Sequence, residues 1–195
     1  MLLSSTANAT LLSRLGGQAA YDDVLDITWL TNASANPALI GTWDEQVAWA
    51  TGLDTLGFDD WRLATVSSTS PINSLFDCSV GTAADCAAAG NELGYMYYHN
   101  MDGLGDNRGS QIVDGVTLTN VRSSYWSGTQ RTSFFNVWFF DFLFGSQAFE
   151  FHLQPQLSGW AVRSGDVVGA PEPGTLLLMA AGLGLLGFGR KQRRL

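Results

Sequence analysis

The last 25 residues limit how much of this chain can belong to a folded core. A break at Pro171, Glu172 and Pro173 is followed by an apolar segment, residues 175–189, and by a basic end, residues 190–195. The segment has no charged side chain and contains four glycines. A helix of about 14 apolar residues would be roughly 21 Å long, which is shorter than the roughly 30 Å thickness of the hydrocarbon core of a bilayer. We therefore predict a short transmembrane helix that anchors the chain transiently, with the basic end on the cytoplasmic side.

Two alternatives are a buried C-terminal core helix and an ordinary single-span tail anchor. The basic end and the proline break disfavour the first, and the shortness of the segment disfavours the second. The ordered tail of Pro171-Glu172-Pro173, apolar run and arginine-rich end resembles the PEP-CTERM sorting signal of Gram-negative bacteria. The resemblance implies an exported protein whose tail is recognised and processed by an exosortase-type membrane protease. It also implies a role alongside exopolysaccharide or biofilm production.

The charge of the chain is unevenly distributed. Residues 1–170 hold six arginines, no lysine and 17 acidic residues, a formal net charge of −11, whereas the other four basic residues all follow the apolar segment. An acidic body repels phosphate backbones, which argues against nucleic acid as a partner. It also disfavours broad electrostatic binding of sulfated or other anionic polysaccharides, and it leaves neutral sugars and divalent cations open.

The first nine residues have the features of a residual signal peptide. They end in an Ala-x-Ala pattern at Ala7 and Ala9, but they lack a basic region and a long apolar stretch. We expect the true start codon to lie upstream and the exported chain to begin near Thr10.

Two cysteines, Cys78 and Cys86, are separated by seven residues. In an exported protein the expected state is a local disulfide that closes a small loop. The alternative is a pair of metal or redox ligands, but this spacing matches no common zinc or thioredoxin-type motif.

The body, residues 10–166, has a helix signal early and strand signals late. Thr42-Trp43-Asp44-Glu45 is a capping box, which predicts a helix that could extend towards a stop at Gly57. Late strands are predicted at residues 124–128, 134–144, 147–153 and 159–163, whereas residues 102–115 are predicted to be a loop. The stretch from Phe135 to Phe142 is apolar on both faces, as in a central strand covered on both sides. The fold class expected is a single α+β domain, with residues 167–174 as a linker.

Five short segments of the body occur in the order seen in a known domain. The sequences are Asp26-Ile27-Thr28-Trp29-Leu30, Thr42-Trp43-Asp44-Glu45, Asp60-Trp61-Arg62-Leu63, Tyr125-Trp126-Ser127-Gly128-Thr129 and Trp160-Ala161-Val162-Arg163. Together they resemble the Lcl C-terminal domain family, which is related to the C-type-lectin-like and formylglycine-generating-enzyme folds. The resemblance implies a lectin-like α+β fold, and it departs from the family at Ala64, where a proline is usual.

Two groups of residues are candidate binding sites. Asp102, Asp106, Asn107 and Asp114 could supply oxygen ligands to Ca²⁺, although their spacing fits no EF-hand loop and a solvated turn is the alternative. Trp61, Arg62, Trp126 and Trp160 could form a platform on which a sugar stacks. The alternative is that the tryptophans are core residues and that Arg62 and Arg163 pair with nearby acidic residues: Asp59, Asp60 or Asp141.

No catalytic motif is present. The chain has no Gly-x-Ser-x-Gly, His-Glu-x-x-His or phosphate-loop sequence, and His99 and His152 are too few to predict a zinc site. We expect a non-enzymatic exported surface or matrix protein that binds or structures exopolysaccharide and needs no cofactor, Ca²⁺ aside. The alternatives are a secreted enzyme acting on polysaccharide and a structural matrix component without a specific ligand.

Overall fold

The computed structural model describes residues 10–68, 78–103, 108–131, 135–153 and 156–167. The residual signal peptide, the linker from residue 168 onwards and the whole C-terminal tail lie outside this part. The helices are α1 (Trp43–Thr51), α2 (Ala83–Ala88) and α3 (Glu92–Tyr95), which continues into a π turn, Met96–Asn100. The strands are β1 (Leu11–Arg14), β2 (Ala19–Asp22), β3 (Ile27–Leu30), β4 (Arg62–Leu63), β5 (Gly109–Val113), β6 (Val116–Val121), β7 (Ser124–Gln130), β8 (Asn136–Asp141), β9 (Ser146–Phe151), β10 (Ser158–Gly159) and β11 (Ala161–Ser164).

The first sheet joins the two ends of the body. Its strand order is β1-β2-β3-β11-β4, with every neighbouring pair antiparallel. In the centre, Val162 of β11 lies opposite Trp29 of β3. An ion pair from Arg14 to Asp166, 2.7 Å long, adds a second contact between the two ends.

The second sheet has the order β10-β7-β8-β9 and places β8 in its interior. Trp138 and Phe140 of β8 face the main core, whereas Val137 and Phe139 face the cluster that packs under α1. The prediction that this segment is a strand covered on both faces is therefore confirmed, since each face of β8 contacts a different apolar cluster.

Aromatic side chains fill the space between the two sheets. Trp29 and Trp160 meet edge to face at 5.0 Å between ring centroids, and Tyr125 lies 5.2 Å from both Phe142 and Trp160. All four side chains are fully buried. Aromatic contacts of this kind stabilise a core by more than the burial of their apolar surface alone contributes.

Helix α1 begins where the capping box predicts. The Thr42 hydroxyl accepts from the Glu45 amide, and the Glu45 carboxylate accepts from the Thr42 amide at 2.8 Å. The helix ends at Thr51, however, and not near Gly57. Leu56 and Gly57 adopt positive φ angles of 57° and 84°, because they form a tight turn that pairs Thr55 with Phe58.

Helix α2 and the hairpin of β5 and β6 are among the elements that the sequence did not predict. Helix α2 forms in a small-residue segment, where Thr82 and Asp85 make a second capping box. Strands β5 and β6 form a hairpin in which Asp114 and Gly115, with φ angles of 50° and 80°, supply the two-residue turn. The prediction of a loop across residues 102–115 is therefore wrong for residues 109–113, because this turn leads directly into paired strands.

The α+β class is confirmed by the described residues. Within these residues no helix is long and apolar enough to cross a bilayer. The predicted tail helix, residues 175–189, is outside the described part of the chain.

Candidate functional site

A groove of about 420 Å³ lies where α1 meets one end of the second sheet. The antiparallel register places the end of β7, the start of β8 and the end of β9 side by side, with Asn136 opposite Phe151. The Trp43 amide at the start of α1 donates to the His152 carbonyl at 2.9 Å, which fixes the helix against the residue that follows β9. The residues that line the groove are Trp43, Asp44, Gln130, Arg131, Phe135, Asn136, Val137 and His152.

A histidine and a carboxylate meet in this groove. His152 Nδ1 lies 2.7 Å from Asp44 Oδ2, and the two residues are separated by 108 positions in the chain. With its proton on Nδ1, His152 donates to Asp44, which fixes the orientation of the imidazole ring. Among the described residues, no hydrogen bond links His152 to a serine, threonine or cysteine, so the pair lacks the nucleophile of a hydrolytic triad there.

Three rings form an aromatic surface beside this pair. Phe135 stacks near the His152 ring at 6.1 Å with an angle of 28° between the planes, and Phe151 lies 5.9 Å from Phe135. Phe135 is 62% exposed, although large apolar side chains usually bury most of their surface. The exposed ring is therefore available to a ligand with an apolar face.

Arg131 provides a cation at the same groove. Its guanidinium lies 3.8 Å from the centre of the Phe149 ring. Its backbone amide donates to the Asn136 carbonyl at 3.2 Å, which fixes the position of the residue beyond β7. Stacking on an aromatic face leaves the five N–H groups of arginine, which point outwards in its plane, free to donate.

The arrangement combines an apolar ring with hydrogen-bonding groups. Gln130 and Asn136 each carry an amide donor and an acceptor, Asp44 accepts and Arg131 donates. Pockets of this volume commonly bind small ligands or parts of larger ones. This chemistry suits a ligand with both C–H faces and hydroxyl groups.

The tryptophans proposed as a platform do not form one. Trp61, Trp126 and Trp160 are at most 2% exposed and belong to three different apolar clusters. Each indole N–H donates to a backbone carbonyl at 2.9–3.1 Å, that of Phe58, Gly41 or Leu30. The structure therefore places the three tryptophans in the core. Rings buried in this way offer no face to a sugar.

Arg62, the fourth member of that group, has a structural partner. Its guanidinium donates to both carboxylate oxygens of Glu92 at 2.6 and 2.7 Å. The Thr65 amide donates to the same carboxylate at 2.8 Å. Hydrogen bonding to Glu92 raises the pKa of Arg62 above its usual value, so the arginine stays charged and committed to this pair. Arg163 pairs with Asp60 at 2.7 Å, one of the partners expected for it.

The candidate Ca²⁺ loop is only partly described. Asp106 and Asn107 lie outside the described residues. Asp114 is in the β5–β6 turn, and its carboxylate accepts from the Leu11 amide at 2.9 Å. Asp102 follows the π turn with a positive φ of 59°. Among the residues that the structure covers, no group of three or more His, Cys, Asp or Glu side chains could hold a metal ion. A Ca²⁺ site stays a prediction.

The predicted disulfide is present. Cys78 and Cys86 are bonded, with 5.3 Å between their Cα atoms, and both side chains are buried against Tyr95. The bond ties α2 to the segment before it, and no free cysteine occurs among the described residues.

Sequence patterns missed the groove for a simple reason. Asp44 is interpretable as part of a helix cap, and Phe135 as a core strand residue. Only His152 is chemically distinctive, and its partner is 108 positions away. The groove depends on the pairing of β8 with β9 and on the seating of α1, neither of which leaves a local signature.

Comparison with known protein families gives a match that lies outside the described residues. Residues 170–194 match the PEP-CTERM protein-sorting motif. No curated protein and no solved structure gives a significant match to the chain. The resemblance of the body to the Lcl C-terminal domain and to the C-type-lectin-like fold therefore gains no support from these comparisons.

The PEP-CTERM motif determines where the protein goes. It marks an exported protein that an exosortase-type system processes and sorts to the cell surface or the extracellular space. Pro171, Glu172 and Pro173 lie within the match, and they are outside the residues that the structure describes.

Proposed function

We propose that this exported PEP-CTERM protein binds exopolysaccharide through the groove between α1 and the second sheet, without chemical turnover. The observation that carries the proposal is the exposed Phe135 ring beside Asp44, Asn136 and Arg131. A pyranose ring has an apolar face of C–H bonds that can pack on an aromatic ring, and its hydroxyls pair with planar polar side chains. Neutral hydroxyls also suit the acidic body better than a dense row of anionic groups does.

We also propose that the body is a lectin-like domain of the Lcl C-terminal type. The pairing of β3 with β11, which brings the first and last parts of the body together, is compatible with such a domain. The proposal would fail if an experimental structure placed these two strands in different sheets.

A second candidate function is a secreted enzyme that acts on polysaccharide. The contact between His152 and Asp44 favours it, because a carboxylate-oriented imidazole can act as a general base. Incubation of the protein with each glycan that it binds, followed by chromatography of the glycan, separates the candidates. Binding without shorter products supports the first, and products that disappear in His152→Ala support the second.

The test of the binding function is a glycan array with the full chain kept in mild detergent. We expect binding to a polysaccharide or oligosaccharide, and we expect Phe135→Ala to weaken it at least tenfold because the stacking surface is removed. The matched control is Phe144→Ala, which removes another exposed phenylalanine, 75% exposed, that does not line the groove. The control should bind within twofold of the unmodified protein.

Two results would count against this function. An empty array would favour a purely structural matrix component. Equal losses in the Phe135→Ala and Phe144→Ala proteins would place any binding outside the groove.

A further inference from the structure

We propose that Arg131 binds a sugar carboxylate, so that the glycan recognised by the groove contains uronic acid. The inference rests on the proposed function and names the substrate class of the same site. The observation that carries it is Arg131, a residue that lines a ligand-sized groove and whose guanidinium, stacked on Phe149, has no ionic partner among the described residues.

The position of Arg131 is set from two sides. Its guanidinium covers the Phe149 ring at 3.8 Å, and Phe149 is itself fixed by an edge-to-face contact with Trp138 at 5.6 Å. Its backbone amide is bonded to Asn136. Such packing lowers the entropy lost when the guanidinium binds, because the long side chain is already held.

The arginine has unused donors. In the described part of the chain its side chain makes no hydrogen bond and no ion pair, and its one side-chain contact of note is the Phe149 ring. Three other arginines are each bonded to a carboxylate: Arg14 to Asp166, Arg62 to Glu92 and Arg163 to Asp60. Arg122, like Arg131, has no carboxylate partner in the described part of the chain, but of these two only Arg131 lines the groove.

A planar carboxylate fits this cation. The guanidinium fork can donate two parallel N–H bonds to one carboxylate, and such charge-assisted pairs are stronger than neutral hydrogen bonds. Phe135 in the same groove offers a surface for the sugar ring that carries the carboxylate. The two groups together match a uronic acid, which has an apolar ring face and a single carboxylate.

The remaining charges in the groove permit this assignment. Among the residues that the structure describes, Asp44 is the one carboxylate that lines it, and one of its oxygens is bonded to His152. The net charge of the body argues against long, dense polyanions as ligands. Most of these charges, however, lie outside the groove and act on a ligand there only over long distances. At physiological ionic strength charges more than about 8 Å apart are largely screened, so a single contact can override the overall sign.

The test compares two oligosaccharides of equal length and linkage. The probes are a 1,4-linked glucose tetrasaccharide in which one residue is replaced by glucuronic acid and its all-glucose counterpart, titrated into the full chain in detergent by calorimetry. We expect the uronate to bind at least tenfold more tightly, and we expect Arg131→Gln to remove this preference, so that the two probes bind the variant with equal affinity. The matched control is Arg108→Gln, which removes the same charge at an exposed arginine that does not line the groove; it should keep the preference.

Each outcome has a clear meaning. Equal binding of the two probes by the unmodified protein overturns the inference and leaves the proposed function standing, and this comparison does not depend on any variant folding. Preference that survives in Arg131→Gln, or that is lost equally in Arg108→Gln, also overturns it, because the carboxylate contact then lies elsewhere or reflects total charge. If neither tetrasaccharide nor any other glycan binds, the proposed function fails together with the inference.

Discussion

Asp22 is a carboxylate that the fold buries completely. Oδ1 accepts from the Val24 and Leu25 amides at 3.1 and 3.0 Å, and Oδ2 accepts from the Asn100 side-chain amide at 2.8 Å. Burial is the largest cause acting on this group and raises the pKa of Asp22 above its usual value of 3.8, although the hydrogen bonds act in the opposite direction. The charged carboxylate therefore costs stability at neutral pH.

The sign of this effect gives a prediction at the scale of one residue. The folded protein binds the Asp22 proton more tightly than the unfolded chain does, so stability falls as pH rises from 3.8 through the raised pKa. Asp22→Asn removes the charge and retains an acceptor for the two amides. Asn100 at present donates from Nδ2 towards this position, so its amide must rotate by 180° for the new donor to pair with Asn100 Oδ1, which has no partner at present. We expect this variant to be more stable than the wild-type protein at pH 7 and the difference to shrink towards pH 4, as measured by urea unfolding.

The control is the neighbouring exposed residue, in the form of Asp23→Asn. We expect a change within about 0.5 kcal/mol at both pH values, as for most surface substitutions. A lower stability of Asp22→Asn at pH 7 would show that the hydrogen bonds need the charged form and would contradict the prediction.

At the scale of elements, the N-terminus of α1 is part of both the fold and the groove. The capping box satisfies the amides of the first turn, and the same turn carries Asp44 and the Trp43 amide that contact His152. The cap therefore positions one wall of the candidate site as well as starting the helix.

Thr42→Ala tests this cap. We expect a loss of about 1 kcal/mol in the free energy of unfolding, because the Glu45 amide loses its acceptor at the helix start. Thr51→Ala is the matched control in the same helix, since its exposed hydroxyl donates only to backbone carbonyls one turn back. It should change stability by less than about 0.5 kcal/mol, and equal losses in the two variants would show that the cap makes no special contribution.

At the scale of the whole molecule, the chain is divided between a folded acidic body and a sorting tail. The body carries a net charge of −11, and the basic residues beyond it are confined to the end of the tail. The PEP-CTERM match lies entirely in that tail, so the sorting motif and the candidate groove lie in different parts of the chain.

Replacement of Pro171, Glu172 and Pro173 by alanine tests the sorting motif. In a host that has an exosortase-type system, we expect the variant to remain in the membrane fraction with its tail intact, whereas the unmodified protein loses the tail. Immunoblots of membrane and external fractions, together with the mass of the purified protein, measure this. The control is Pro37→Ala in the body, which should be processed normally. Normal processing of the triple variant would contradict a role for the motif.

Local patterns determined several features from the sequence alone. The start of α1 follows from Thr42 and Glu45, which are three positions apart and interact within one helical turn. The tail motif is a contiguous segment, and the disulfide joins residues eight positions apart. Strand β8 was predictable as a strand covered on both faces because its consecutive residues are apolar, so that apolar side chains point to both faces.

Tertiary structure alone decided which aromatic rings are buried and which remain exposed. Trp126 lies within β7, and Phe135 directly precedes β8 of the same sheet. Both side chains are apolar, yet Trp126 is fully buried and Phe135 is 62% exposed. Arg62 pairs with Glu92, which is 30 positions away in the chain, and His152 contacts Asp44, which is 108 positions away. Side-chain periodicity records only neighbours along the chain, whereas a groove is made by packing between distant segments, so its residues acquire their roles only when the sheets and α1 come together.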